Sequence, residues 1–321
     1  MTRKLCSVLL SAFALLLLMG AGVAPQQTAT IVIEEESVPL SETTLETDTQ
    51  SAYEVKDGFM PAVMGASPVK LAEGTDDSLL VDGVHAHADI GKTVIDGVTY
   101  VALAPMAKLL NSDAAVTWNE STGMVTVTAK NLHLAAKVGQ LYMEANSRYL
   151  YLPETVQLVN GRVTVPLWAV AKAFDADISW DPATDVVTVT SGSGYIQPGQ
   201  EYYDAEVLFW LSRVIYAESG NQPLEGQMAV GNVVMNRVEN PIYPDTIKEV
   251  LAQKNQFTTF NNGKLADRTP NASSVLAAKL VMDGGEVEET EGALYFNSGV
   301  RGWVSKNKEC IAVIGNHKFY R

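Results

Sequence analysis

The chain has 321 residues, 47% of them apolar, and a formal net charge of −14. This length allows about two domains, each with a packed core. The acidic charge argues against sequence-independent binding of nucleic acid, because contact with phosphates needs a basic face. No nucleic-acid partner is therefore expected.

The N-terminal residues predict a secretory signal. Arg3 and Lys4 precede an uninterrupted run of apolar and small residues from Leu9 to Met19, which is the order found in signal peptides. We therefore predict a cleaved signal peptide at residues 1–24 and an exported, extracellular protein, whose only contact with a membrane is that signal. The run from Val8 to Ala24 is near the lower limit for a membrane span, so a retained anchor is the alternative.

Two segments have the composition of spacers. Residues 25–78 are rich in Thr, Ser, Glu, Gln and Pro, and they carry too little apolar surface to offset the entropy of ordering, so a flexible acidic spacer is predicted. Residues 192–200 have the Gly, Ser and Pro content of a linker. Residues 192–200 separate a region at 79–191 from a C-terminal domain at 201–321, which we expect to fold and act without that region.

Residues 79–191 contain an internal repeat. Gly97–Leu103 is similar to Gly161–Leu167, and each is followed by an Ala-Lys helix, a Trp (Trp118 or Trp180) and a strand that alternates Val and Thr. Alternation with period two is typical of half-buried strands. Each half is predicted as strand, short helix, strand, strand. Because about 50 residues are few for an independent core, the two halves are expected to form one small α+β module.

This repeat resembles the copper amine oxidase N-terminal-like domain, a module repeated in exported bacterial proteins. The resemblance implies a spacer or a wall-attachment unit at residues 79–191, without copper chemistry. His85 and His87 stand two apart, so on a strand both face the same side, and His133 is the other His nearby. A metal site needs at least a third ligand. Solvent-facing histidines are the interpretation we favour, and neither a metal nor a cofactor is expected.

The C-terminal domain is predicted to be mainly helical, with strands near its end. Residues with the chemistry of helix starts are Asp204, Pro223, Thr246 and Asn271. Two later segments, Ala293–Phe296 and Ile311–Ile314, have the composition of strands, and Gly315-Asn316 follows as a turn. The chain as a whole is therefore expected to be an α+β protein.

Glu218 is the residue that points to chemistry. Leu211, Ile215 and Glu218 are spaced i, i+4 and i+7, so the carboxyl continues the apolar stripe of its own helix. Burial raises the pKa of a carboxyl, and the negative end of the helix dipole acts in the same direction. A carboxyl with a raised pKa remains protonated near neutral pH, and it can therefore donate its proton as a general acid. A solvated or capping Glu at a helix end is the alternative that spacing alone leaves open.

The segment Tyr216–Arg237 resembles the hallmark of the spore-cortex-lytic (SleB/CwlJ-type) cell-wall hydrolase family. Further matches follow in the same order at Tyr243–Ile247, Asn255–Thr258, Gly292–Asn297 and Ile314–Tyr320. The resemblance covers about 120 residues of the chain and says nothing about residues 1–200. It implies a mainly helical, lysozyme-like (lytic transglycosylase-type) fold with a small β-hairpin, peptidoglycan glycan strands as substrate, and Glu218 as the catalytic residue.

The chain departs from the commoner family pattern at Gln222, where many members have Glu. The next carboxylate is then Glu225, seven residues beyond Glu218, or about 10 Å along a continuous helix. A retaining glycosidase has its two carboxyls about 5 Å apart, and nothing near Glu218 in sequence supplies the second one. A partner from elsewhere in the fold stays open.

One acid is sufficient in lytic transglycosylation, the reaction that the resemblance implies. Glu218 would protonate the glycosidic oxygen between N-acetylmuramic acid and N-acetylglucosamine, and then accept a proton from the C6 hydroxyl as that hydroxyl attacks C1. The candidate substrate-binding residues that accompany it are Gln227, Gln256, Phe257, Thr258, Tyr295 and Asn297. Amide and hydroxyl groups beside flat aromatic faces suit sugar rings. The structural alternative places Phe257 and Tyr295 in the core, Asn297 at a turn, and His317 in a structural hydrogen bond.

Three other functions are weighed against this one. A muramidase would use water in place of the C6 hydroxyl and give a product heavier by one water. A non-catalytic wall-binding protein is the alternative from another class, and the intact motif around Glu218 argues against it. A zinc peptidase or amidase is disfavoured because residues 201–321 contain one His. The sequence leaves open whether the substrate is spore cortex or vegetative wall.

Overall fold

The structure is a computed structural model that describes residues 74–299 and 302–321. The predicted signal peptide and most of the predicted spacer therefore lie outside the described residues. Within those residues, none of the helices has the length and apolar character needed to cross a membrane.

The first domain consists of short strands and two short helices. Its strands are β1 (Thr75–Val81), β2 (Val84–His87), β3 (Thr93–Ile95), β4 (Val98–Ala102), β5 (Ala115–Asn119), β6 (Met124–Ala129), β7 (Leu132–Lys137), β8 (Tyr142–Ala145), β9 (Arg148–Tyr151), β10 (Gln157–Val159), β11 (Arg162–Pro166), β12 (Asp177–Asp181) and β13 (Val186–Thr190). Its helices are α1 (Leu103–Leu110) and α2 (Leu167–Ala173). Because β1 begins at Thr75, ordered structure starts inside the segment that composition assigns to the spacer.

The two halves of the repeat meet in one sheet, as predicted. That sheet has the order β10-β11-β4-β3, and β4 pairs antiparallel with β11, so Val101 lies opposite Val165. Each half then continues through its helix into a strand pair, β5–β6 or β12–β13. Buried residues of both halves belong to one hydrophobic core. The repeat is therefore a single module of two similar halves.

Strands β7, β8 and β9 extend the first half beyond the predicted repeat. They continue the β5–β6 pair into a five-stranded antiparallel sheet with the order β5-β6-β7-β8-β9. The last strand, β9, carries Arg148, Tyr149 and Tyr151, whose side chains contact the C-terminal domain. This sheet therefore brings the two domains together.

The C-terminal domain combines helices with one small sheet. Its helices are α3 (Gly199–Tyr202), α4 (Ala205–Ser219), α5 (Leu224–Glu239), α6 (Ile247–Ala252), α7 (Thr258–Asn261), α8 (Ala272–Met282) and α9 (Trp303–Asn307). Its strands are β14 (Tyr295–Asn297), β15 (Cys310–Ile314) and β16 (His317–Tyr320), in the order β14-β16-β15. The predicted hairpin is thus β15–β16, and β14 adds a third strand.

The predicted helix starts agree with the structure. Asp204 accepts a hydrogen bond from the backbone N of Val207 at 2.9 Å, and Asn271 accepts one from Ser274 N at 2.8 Å. Thr246 Oγ1 accepts from the backbone N of Glu249 at 3.3 Å, which is the N-cap half of the expected capping box, and the Glu249 carboxylate accepts from the Thr246 hydroxyl at 2.8 Å. Pro223 is the N-cap of α5, one position earlier than predicted. Local capping chemistry therefore sets where these helices begin.

Helices α4, α5 and α8 form the core that supports the site. Leu211 and Ile215 of α4 are completely buried against residues such as Val230 of α5 and Leu280 of α8. Gly231 allows the three helices to approach, because a Cβ there would lie 2.9 Å from Ile215 Cδ1. A larger residue at 231 would push α4 away from α5.

The predicted linker at 192–200 joins the domains, but it is packed against them. Ile196 is buried in the core of the first domain. The backbone N of Gly199 donates to the Asn146 carbonyl at 2.8 Å, and a Cβ at Gly199 would lie 2.4 Å from the Ser147 carbonyl oxygen. The Gly and Ser residues of this segment therefore serve close packing, in addition to joining two domains.

A buried polar cluster holds the two domains together. Asp283, at the C-terminal end of α8, forms a salt bridge with Arg148 of β9, whose Nε donates to Asp283 Oδ1 at 2.9 Å. The Tyr203 hydroxyl donates to the other carboxylate oxygen, and the backbone N of Tyr149 lies 3.3 Å from that oxygen. Lys172 of α2 donates to the Asp283 carbonyl at 2.9 Å. Both carboxylate oxygens of Asp283 thus have partners, which buried charges require.

Candidate active site

Glu218 lies in the last turn of α4 with its side chain half-buried. Burial removes water from the carboxyl and raises its pKa above the ordinary value of a Glu. The stripe formed by Leu211 and Ile215 continues into this position, so the helix that builds the core also turns the carboxyl toward the protein. The expected environment of a general acid is therefore present.

Two groups act on Glu218 in the opposite direction. The side chain of Thr259, in α7, and the positive charge of Arg268 both favour the charged carboxylate and lower the pKa of Glu218, but less than burial raises it. Thr259 Oγ1 is buried and, within the described part of the chain, makes no hydrogen bond of normal geometry. Thr259 thus places a buried hydroxyl beside the carboxyl of Glu218.

The loop after Glu218 is fixed on both sides. Asn271, the N-cap of α8, donates from Nδ2 to the Gly220 carbonyl at 3.1 Å. Gln222 Oε1 accepts from the backbone N of Asn316 at 2.9 Å, in the turn between β15 and β16. A carboxylate oxygen at position 222 could accept the same hydrogen bond. The departure from the family pattern therefore leaves this contact in place.

Gln227 is buried under the same loop. Its Nε2 donates to the Gln222 carbonyl and to Ser273 Oγ, both at 2.9 Å, and its Oε1 accepts from Ser274 Oγ at 2.8 Å. The side chain is 2% exposed. Its polar atoms thus join the loop, α5 and the first turn of α8, which gives Gln227 a supporting position rather than an open face toward a substrate.

Gln256, Phe257 and Tyr295 come together around Arg237, a buried residue in the last turn of α5. Arg237 donates from Nη1 to Gln256 Oε1 at 3.0 Å and from Nε to the Leu294 carbonyl at 2.8 Å. Its guanidinium carbon lies 5.5 Å from the ring centroids of both Phe257 and Tyr295. The segment 256–259 therefore contacts this cluster at one end and Glu218 at the other.

Tyr295 is the half-buried, polar side of this cluster. Hydrogen bonding with Tyr243 lowers the pKa of Tyr295, and the charges of Lys308 and Arg237 add to this effect. Burial raises the pKa of Tyr243 to about 12, and donation to Tyr295 contributes. Trp303 is well exposed, and its ring centroid lies 6.4 Å from the ring centroid of Tyr295. Tyr295 thus combines a polarised hydroxyl with an aromatic neighbour.

The remaining predicted residues have mixed positions. Phe257 is 2% exposed and belongs to the core, whereas Gln256 and Thr258 are exposed. Asn297 is half-buried, and its Oδ1 accepts from the Tyr320 hydroxyl at 3.3 Å. His317 is buried beside the ring of Phe296, and burial lowers its pKa. Among the predicted residues, the side chains of Gln256 and Thr258 are therefore exposed, and those of Tyr295 and Asn297 are half-buried.

Glu225 does not act on Glu218. Its Oε1 accepts from the hydroxyl of Tyr151, in β9 of the first domain, at 3.0 Å. Among the described residues, the groups that influence the pKa of Glu218 are Thr259 and Arg268, and neither is a carboxylate. A single acid at this position therefore stays a prediction.

Sequence reasoning missed Thr259, Arg268 and Trp303. Thr259 directly follows a motif residue, Thr258, and the short helix α7 turns it inward. Arg268 lies in an irregular segment and Trp303 in a five-residue helix, where no periodicity indicates which way a side chain points. The motif at Asn255–Thr258 could have indicated Thr259, whereas no sequence pattern indicates Arg268 or Trp303.

The histidines of the first domain lie as predicted on one face of β2. Ala86 between them is buried, while His85 and His87 are exposed, and His87 Nδ1 is 2.9 Å from Asp89 Oδ1. Over the ranges 74–299 and 302–321, no group of three or more His, Cys, Asp or Glu side chains is placed to hold a metal ion.

Two sequence families match this chain. Residues 221–320 match the Cell Wall Hydrolase family, and residues 80–189 match the Copper amine oxidase N-terminal domain. Glu218 lies just before the first of these matches.

Curated relatives include spore cortex-lytic enzymes. That of Oceanobacillus iheyensis is 28% identical over 134 residues, which cover 40% of this chain and 46% of the relative. That of Bacillus subtilis is 29% identical over 111 residues, which cover 34% of this chain and 35% of the relative. The chain thus spans less than half the length of these relatives.

Solved structures with similarity include the catalytic domain of the Bacillus cereus SleB protein. It is 27% identical, has a TM-score of 0.34, and covers 37% of this chain and 92% of that chain. The C-terminal part of this protein is thus similar to the Cell Wall Hydrolase family and to spore cortex-lytic enzymes, and the part before it is similar to the Copper amine oxidase N-terminal domain.

Proposed function

We propose that residues 201–321 cleave the glycan strands of peptidoglycan by lytic transglycosylation, on a lysozyme-like fold, with Glu218 as general acid and then general base. The observation that carries this proposal is the half-buried carboxyl of Glu218, whose pKa burial raises. The match to the Cell Wall Hydrolase family supports peptidoglycan as the substrate.

The two opposing influences on Glu218 suit a group that moves a proton in both directions. Burial keeps the proton on the carboxyl until a glycosidic oxygen accepts it. Once Glu218 is charged, the positive charge of Arg268 and the Thr259 hydroxyl stabilise the carboxylate. The same carboxylate can then accept the proton of the C6 hydroxyl as that oxygen attacks C1. The bond to the leaving sugar breaks, a 1,6-anhydro ring forms, and no water is consumed.

The groups that act on Glu218 favour this reaction over a retaining mechanism. A carboxylate nucleophile stands about 5 Å from the acid in retaining glycosidases, and a like charge at that distance would raise the pKa of the acid. In the described residues, Thr259 and Arg268 act on Glu218, and both lower its pKa. The substrate's own hydroxyl supplies the nucleophile instead.

Substrate contacts are assigned to the exposed and half-exposed members of the predicted set. Tyr295 offers a polarised hydroxyl and an aromatic edge, and Trp303 beside it offers an open indole face. Gln256, Thr258 and Asn297 add amide and hydroxyl groups. Gln227 and Phe257 support these groups from the protein interior.

The protein is proposed to act outside the cell, on cell wall or spore cortex. The relatives are spore cortex-lytic enzymes, which supports a wall location. Because the chain spans less than half of their length, their substrate is a proposal here, and cortex and vegetative wall should be compared directly.

The test is cleavage of purified peptidoglycan by the Glu218→Gln variant of the full chain. Gln keeps the shape but donates no carboxylic proton, so the rate should fall by at least roughly 100-fold. Because burial disfavours the charged Glu218, the melting temperature at neutral pH should hold or rise. Glu225→Gln is the matched control and should keep most of the activity. Full activity in a folded Glu218→Gln protein would contradict the proposal.

Mass spectrometry of the fragments separates the two glycosidase reactions. Transglycosylation gives anhydro ends that are lighter by one water than the ends a muramidase gives. A product that carries the extra water would assign hydrolysis to the same acid.

A further inference from the structure

The first domain has an open groove lined mainly by apolar side chains. It has a volume of about 500 Å³ and lies between the β3–β4 hairpin, the start of α2 and the β12–β13 strand pair. Two tryptophans contribute exposed indoles: Trp168 is 37% exposed and Trp180 is 60% exposed. Volumes of this size are typical of small-ligand sites.

Comparison of the two repeat halves shows that this groove is particular to the second half. Ile178 and Trp180 of β12 correspond in the repeat to Val116 and Trp118 of β5. Val116 is buried and Trp118 packs against the core, whereas Ile178 and Trp180 are exposed, and every residue of β12 is exposed.

Helix α2 contributes to the same difference. Trp168 corresponds to Ala104 of α1, which is a small buried residue. An exposed Trp in place of a buried Ala adds nothing to the core of this domain. The second half thus has three large apolar side chains in contact with solvent at positions where the first half has two buried residues and one partly buried one. Exposed apolar patches of this kind mark binding sites in soluble proteins.

Polar groups on the groove indicate the class of ligand. Trp180 Nε1 donates to Asp185 Oδ1 at 3.1 Å, which fixes the orientation of the indole. Lys92 uses two of its N–H groups on Ser78, at 2.6 and 3.2 Å, and has a third for a ligand. Flat apolar faces with donors and acceptors at the rim match a pyranose ring, which has C–H groups on its faces and hydroxyls at its edges.

Charge argues against a densely anionic polymer. The groove contains one basic and one acidic residue, Lys92 and Asp185, and residues 74–190 contain 13 Asp and Glu against 7 Lys and Arg. A net negative surface repels nucleic acids and anionic wall polymers. The backbone of a glycan strand, built of N-acetylated sugars, carries apolar ring faces and no charge that this surface would repel apart from the lactyl carboxylate.

We propose that this groove binds a peptidoglycan glycan strand, with Trp168 and Trp180 as the stacking surfaces. The substrate class rests on the proposed function of the C-terminal domain. The groove gives the first domain a binding role of its own. Because the buried cluster around Asp283 joins the domains, a strand held in the groove stays at high local concentration near the hydrolase domain.

The experiment measures binding of the full-length Glu218→Gln chain to insoluble purified peptidoglycan and to the β-1,4-linked hexamer of N-acetylglucosamine. Trp180→Ala and Trp168→Ala are introduced singly and together, and Val84→Ala, an exposed apolar residue elsewhere on the domain, is the matched control. Each Trp variant should weaken binding roughly tenfold, as for truncated aromatic hot spots. Trp180→Tyr should retain most of the affinity because it keeps a flat ring.

Hydrogen exchange with the hexamer bound locates the site. Protection is expected in the β3–β4 hairpin and in β12, and it should be lost in the double Trp variant. Unchanged binding in the folded double variant, or protection confined to residues 201–321, would overturn the inference while leaving the proposed cleavage intact. Dimerisation that the double variant abolishes would assign the groove to a second copy of the chain. Cleavage by Glu218→Gln together with Trp-dependent binding would refute the proposed function and not this groove.

Discussion

Glu218 is subject to opposing influences on its pKa: burial raises it, and the Thr259 side chain and the charge of Arg268 lower it. The i, i+4, i+7 spacing with Leu211 and Ile215 is enough to predict a partly buried carboxyl, and the structure agrees. Thr259 and Arg268 come from segments more than 40 residues later in the sequence. Both residues reach Glu218 only through tertiary packing, which no local sequence pattern predicts.

The influence of Arg268 on Glu218 leads to a prediction for the pH profile. Arg268 lowers the pKa of Glu218, so Arg268→Gln should raise that pKa further. A general acid loses activity as pH rises through its pKa, and the falling limb of the rate profile should therefore move to higher pH. Lys264→Gln removes a charge from the same segment and is the matched control. The profile is measured by release of soluble fragments from peptidoglycan, and a shift to lower pH would contradict the assignment.

At the scale of elements, capping chemistry predicted more than periodicity did. Asp204, Thr246 and Asn271 each accept the backbone hydrogen bond expected of an N-cap, because the signal and its partner lie within three residues. Strands β7–β9 were not predicted, because they stand outside the repeat on which the prediction depended. Gln227 was identified as a candidate substrate residue by resemblance alone. Its buried hydrogen bonds depend on the packing of α5 against α8, which no local pattern predicts.

Those contacts of Gln227 predict a structural effect. Gln227→Ala leaves the Ser273 and Ser274 hydroxyls and the Gln222 carbonyl without this partner. Loss of buried hydrogen bonds costs about 1–3 kcal/mol, so the denaturation midpoint should fall. Because Gln227 supports the loop that follows Glu218, kcat should fall while KM stays nearly constant.

Ser273→Ala removes one of these bonds and should have a smaller effect on both quantities. Urea denaturation and steady-state cleavage of a soluble glycan measure them. A rise in KM without any loss of stability would instead place Gln227 against the substrate.

In the whole molecule, composition predicted a junction between two domains but gave no information on how they pack. Gly and Ser content reports the freedom of a backbone, while Arg148 and Asp283 meet although they are far apart in sequence. Ile196 and Gly199 show that the same segment can be both a linker in composition and a packed element. The domains are thus coupled more strongly than their sequence suggests.

This coupling predicts that Arg148→Ala destabilises the whole protein. The variant leaves Asp283 buried with Tyr203, the Tyr149 backbone N and Lys172, but without its main counter-charge. Breaking a buried ion pair on one side costs about 3–5 kcal/mol, and the remaining partners place the expected loss near the lower end. Removing both charges, in Arg148→Met with Asp283→Asn, should cost less than Arg148→Ala because no unpaired carboxylate remains.

Calorimetry should then show one transition in the parent chain and a second, earlier one in Arg148→Ala as the C-terminal domain unfolds separately. An isolated 195–321 fragment as stable as the parent chain would mean that the interface adds nothing to the fold of the hydrolase domain.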